Sequence, residues 1–129
     1  MLNFYLLYTE SDYRMLNLQN IIEYNHVLDY NIVKNKLTKV DYLKKTPSDS
    51  VVSFYMFKKL SGMIKENEDS SILYILKSLT PEVLDNITSV VEDLCKHYSK
   101  EAHFEVLINS KVEIQEKISE NYKIINVND

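Results

Sequence analysis

Two sets of side chains in this sequence are of types that do chemistry. The first is rich in hydroxyls and carboxylates: Thr9, Ser11 and Asp12, then Ser78 and Thr80, then Ser110. Each group follows an apolar run of strand length, and in an open parallel sheet ligands gather outside the carboxyl ends of the strands. Thr80 and Ser110 also stand where they cap the helices that follow. Free N–H groups at those helix starts would face the same rim and could hold an anion without a glycine loop. Glu10 and Asp12 add carboxylates suited to acid–base work or to holding a divalent cation through water. The competing reading is structural, with hydroxyls that only cap and acids that only complement a helix dipole. No nucleophile–base arrangement emerges from the spacing, and no catalytic residue is assigned.

The second set is apolar. Val51, Val52, Phe54, Tyr55, Met56 and Phe57, continued by Leu60, Met63 and Ile64, cover far more than one face of a helix. Such a helix is either buried between layers or leaves an apolar patch for a partner or a second copy to cover. Ten tyrosines suit the second alternative, because tyrosine favours surfaces that are buried on association.

Other chemistries are excluded by what is missing. Gly62 is the only glycine in 129 residues, so neither a Walker-type phosphate cradle nor a dinucleotide-binding fingerprint can be built. His26, His97, His103 and Cys95 have no metal-ligand spacing, since Cys95 and His97 on one helix point about 200° apart. No metal or cofactor is expected. Cys95 falls on an apolar stripe, where a buried, inert thiol is the usual outcome. Arg14 is the only arginine, and the formal net charge is −4. Nucleic acid is therefore not expected as a partner, and the basic stretch Lys34, Lys36, Lys39, Lys44 and Lys45 reads as a solvated face.

The elements that must position these residues are clearest in the second half. Residues 71–76 form a continuous apolar run of strand length. Thr80, Pro81 and Glu82 give a cap, a first-turn proline and an acidic first turn. Val83, Leu84, Ile87, Val90, Val91, Leu94, Cys95 and Tyr98 then recur at helical spacing. A strand at 104–108, a helix opened by the capping-box spacing of Ser110 and Glu113 and running to Tyr122, and a strand at 123–127 complete a βαβαβ pattern. In the first half, 3–8 reads as a strand, 12–24 as a helix, 27–33 as a strand and 34–45 as a short helix or an irregular connection. Thr46 and Pro47 open a helix ending near Glu66.

This alternation predicts one α/β domain over 1–129: three layers, a mainly parallel sheet and helices on both faces. An all-α bundle is the alternative, favoured by the scarcity of glycine. A single cysteine and the absence of any apolar run of spanning length lead to the expectation of a cytoplasmic protein without membrane contact. The bias towards Asn, Ile, Lys and Tyr fits an AT-rich genome, that of a phage, another virus or a low-GC bacterium; for a virus the compartment is the host cytoplasm. The functional expectation is a small non-enzymatic binding or regulatory protein that acts on a protein partner or as a homo-oligomer. The alternatives are a degenerate nucleotide- or anion-binding α/β enzyme fold and an all-helical viral interaction module.

Overall fold

The apolar run at the amino terminus becomes the centre of the molecule. In the computed structural model, which describes residues 1–40, 47–66, 70–109 and 113–127, β1 (Leu2–Tyr8) is flanked on both sides by parallel strands. The others are β2 (His26–Asp29), β3 (Ser71–Ile75), β4 (Ala102–Asn109) and β5 (Lys123–Val127). They form one wholly parallel sheet in the order β2-β3-β1-β4-β5. The α/β architecture is thus the one the alternation predicts, and the all-α bundle is excluded.

Strand order dictates which face each connection takes. The link from β1 to β2 runs one way along the sheet, past β3; the links from β2 to β3, from β3 to β4 and from β4 to β5 all run the other way. Crossovers of one hand that travel in opposite directions must lie on opposite faces. The two buried clusters follow that rule. Leu2, Phe4, Leu6, Ile72, Tyr74, Val106 and Ile108 face α1 (Tyr30–Val40), α2 (Asp49–Glu66), α3 (Pro81–His97) and α4 (Glu116–Asn121). Leu7, Leu73, Ile75, Leu107 and Val127 face Leu16, Leu18 and Ile22 of the β1–β2 connection. The three layers are therefore α-helices, sheet, and a thinner cover carrying the 3-10 turns Tyr13–Met15 and Leu18–Asn20.

That thin cover replaces the helix expected at 12–24. The Asp12 carboxylate accepts from the Arg14 N–H, and Leu16 then turns extended, so the chain leaves the helical path after one turn. The inward positions 16, 18 and 22 are spaced by two and four, which no single helical stripe provides. Asn25 ends the segment by accepting from the Ser71 N–H at 2.9 Å. The same sheet face carries Glu105, largely buried between the exposed Lys123, at 3.1 Å, and His103, at 3.5 Å.

Further boundaries differ for local reasons. The strand expected at 27–33 stops at Asp29, whose carboxylate accepts from the N–H groups of Asn31 and Ile32 and so caps α1. Ser48 caps α2, its hydroxyl accepting from Val51 and its carbonyl from Val52. Thr46 and the connection at 41–46 lie outside the described residues. Helix α4 begins at Glu116, without a side-chain cap, rather than near Ser110. The predicted cap at Thr80 is present: its Oγ1 accepts from the Val83 N–H at 3.2 Å.

Helix α2 ends beside α3, where the Lys100 ammonium donates to the Ile64 carbonyl at 2.5 Å. Helix α3 itself closes with Ser99 in the left-handed region at φ 54°, the Ser99 N–H bonding to Lys96 and the Lys100 N–H to Cys95. That is the position at which helices favour glycine. The chain's one glycine instead sits inside α2 at Gly62, where an added Cβ would meet nothing within 4 Å. Gly62→Ala should therefore raise stability by about 0.5–1 kcal/mol. Ser99→Gly should do so by a similar amount, about 0.5–1 kcal/mol, through relief of the left-handed backbone. Urea midpoints measure both, and a lowered midpoint in either variant would contradict the geometry assigned to that residue.

Candidate functional site

The crevice anticipated at the strand ends exists, and part of the expected set lines it. Thr9, Ser11 and Asp12 border a hollow of about 280 Å³ outside the carboxyl ends of β1 to β3, together with Glu10, Arg14 and Asp29. Several of these polar groups bond to one another. The Thr9 and Ser11 hydroxyls lie 3.1 Å apart, and the Ser11 N–H donates to Thr9 Oγ1 at the same distance. Arg14 grips Asp12 through Nε at 3.0 Å and Nη2 at 2.6 Å. Those hydrogen bonds hold the Asp12 carboxyl down to about 2. A carboxylate with so low a pKa is a poor proton acceptor near neutral pH, and the guanidinium of the chain's one arginine pairs with it.

Ser78 and Thr80 do not line this hollow. Thr80 caps α3, the structural role, and contributes about 1 kcal/mol there. Ser110 lies outside the described residues. Among the described residues, no group of three His, Cys, Asp or Glu side chains is placed to hold a metal ion. Cys95 is buried, and burial pushes its thiol up from the ordinary value.

The apolar helix at 51–57 divides between both fates considered for it. Val52, Met56, Leu60 and Ile64 form an inward stripe that is fully buried against the sheet. Phe57 is half-buried and packs on the same cluster. Val52 and Met56 are accordingly core residues and cannot belong to a contact surface, a correction that follows from their i, i+4 spacing towards the sheet. Val51, Phe54 and Tyr55 face outward, with 44%, 64% and 42% of their surfaces exposed. Phe54 and Tyr55 meet edge to face with ring centres 5.8 Å apart.

One constellation has no counterpart in the sequence reading. Tyr30, at the start of α1, donates a short hydrogen bond to the Asp49 carboxylate at the start of α2. Lys77, just beyond β3, pairs with the same carboxylate at 3.4 Å and lies 6.0 Å from the centre of the Tyr30 ring. Three elements far apart in sequence are thereby joined at the carboxyl rim of the sheet. Burial and the Asp49 charge push the Tyr30 phenol well above its ordinary value. Beside the triad, between α2 and α3, opens a cavity of about 210 Å³. Tyr30 falls in the run read as a strand at 27–33, and no spacing in the sequence links it to Asp49 or Lys77.

No protein-family model, no curated protein and no solved structure matches the chain. Among the described residues, no helix is long and apolar enough to cross a membrane.

The Tyr30 hydrogen bond, followed by Lys77, holds the Asp49 carboxyl below its ordinary value of 3.8. A carboxyl depressed in the folded state stabilises above its unfolded pKa, and that contribution is lost as pH falls through the folded value. Asp49→Asn should thus be less stable than the parent at pH 7, with the gap shrinking below about pH 4. Urea midpoints at pH 7 and pH 3 check this, and an equal gap at both would show that the ionised form is not what matters.

Proposed function

We propose that this chain is a small non-enzymatic binding protein that acts through protein–protein contacts, with the outer face of α2 as the segment a partner grips. The observation that carries this reading is the trio Val51, Phe54 and Tyr55, exposed side by side on a helix whose opposite face is fully buried. Their i, i+3, i+4 spacing is that of anchors which an amphipathic helix inserts into a groove. The edge-to-face pair of Phe54 and Tyr55 is large and has few rotatable bonds, so ordering it on contact costs little entropy.

The next turn indicates the partner's charge. Lys58 and Lys59 are exposed and form no ion pair among the described residues. A groove lined by apolar side chains and bordered by carboxylates complements such a helix. The mutual hydrogen bonding of Thr9, Ser11, Asp12 and Arg14 supports the non-enzymatic reading over a degenerate nucleotide- or anion-binding site.

Phe54→Ser with Tyr55→Ser should leave the urea midpoint within about 0.5 kcal/mol of the parent, as exposed substitutions do. A photo-crosslinking residue at position 54, in extract of the cells that make the protein, should give one dominant heterologous adduct. That adduct should be lost on Lys58→Glu with Lys59→Glu and absent when the crosslinker is placed at exposed Lys123. Equal labelling from both positions would sink the proposal. A concentration-dependent dimer in light scattering, abolished by the double serine variant, would reassign the surface to self-association.

A further inference from the structure

We propose that the cavity between α2 and α3 binds a small amino-substituted heteroaromatic ring, the chemistry of a free nucleobase bearing an exocyclic amine. Its volume of about 210 Å³ is larger than the roughly 150 Å³ pocket that accepts benzene, and leaves room for a ring with polar substituents. Tyr30, Phe57 and Tyr74 give it aromatic walls. Stacking of a base on an aromatic side chain is worth about 1–3 kcal/mol and tolerates any flat ring. Helix α3 contributes apolar Val83 and Ile87 and, exposed at the edge of the cavity, Glu82 and Asn86 one helical turn apart.

The charges select against anions. Lys77 reaches the cavity, but its ammonium is paired with Asp49. Glu82 has no ion pair among the described residues, so the lining favours a ligand that donates. A carboxylate accepts from an exocyclic amine of the cytosine type, and a side-chain amide both donates and accepts along an adenine-type edge. The floor offers one more group. Tyr74 is only 3% exposed, and its hydroxyl has the Met56 thioether, at 3.7 Å, as its partner. Sulfur is a weak acceptor, and a ring nitrogen or carbonyl would serve this hydroxyl better. The cavity lies on the sheet side of α2, away from Phe54 and Tyr55, so this inference and the proposed partner surface stand or fall separately.

The test is a ¹H–¹⁵N NMR titration of the whole chain with adenine and cytosine, using uracil, which lacks the amine, and toluene as comparison probes. Saturable shifts confined to Tyr30, Phe57, Lys77, Glu82, Asn86 and their neighbours are expected, with Kd below about 1 mM for at least one amino base. Uracil and toluene should bind at least about tenfold more weakly, and Glu82→Gln and Asn86→Leu should each weaken the amino base by about tenfold or more. The proposal is overturned if neither amino base gives saturable shifts up to about 5 mM. It is also overturned if uracil or toluene binds as well, or if both variants bind like the parent.

Discussion

Parallel pairing of β1 with both β3 and β4 is the constraint on which the rest of this molecule depends. A strand with neighbours on both edges and cover on both faces must be apolar throughout its inward positions, and Leu2, Phe4, Leu6 and Leu7 are all fully buried. Placing the first strand at the centre forces one connection to run against the other three. The common hand of crossovers then sends that connection to the opposite face. A thick layer of four α-helices on one side and a thin layer of 3-10 turns on the other follow from strand order.

The thick layer concentrates the polar groups of interest at one end. Every strand runs the same way, so α1 and α3, which follow β2 and β3, start at the carboxyl rim, and the Tyr30–Asp49 bond places the start of α2 beside that of α1. Tyr30, Asp49 and Lys77 meet there, each at or next to the end of its own element. The cavity beside them opens between α2 and α3, while further along both pack on the sheet through Leu60, Ile64, Val91 and Cys95. Helix α2 thereby has two distinct sides: an apolar stripe that the sheet requires, and an outer face on which Val51, Phe54 and Tyr55 stay exposed.

Glycine use in this chain reverses the usual pattern. Its one glycine lies where a helix prefers alanine, and a serine holds the left-handed turn that ends α3. The fold accommodates this because its other turns avoid positive φ: among the described residues Ser99 alone adopts it. Side-chain caps replace glycine turns, with Asp12, Asp29, Ser48 and Thr80 each accepting from the N–H groups that begin the next element. A parallel α/β sheet with almost no glycine is possible on those terms.

Local chemistry determined a large part of this protein directly. The apolar runs at β1, β3 and β4, the cap and stripe of α3, and the excess of apolar residues on α2 were all legible, because each is set by neighbours within one or two turns. The helix expected at 12–24 and the extended reading of Tyr30 and Val33 failed where a side chain competed with the pattern. Asp12 and Asp29 capture nearby N–H groups, and a hydrophobicity count does not register that. Tertiary structure alone decided strand order, and with it which half of α2 faces the sheet. Only the folded chain brings Tyr30, Asp49 and Lys77 together, since a contact between residues 19 and 28 positions apart depends on where the sheet delivers them and leaves no periodicity to read.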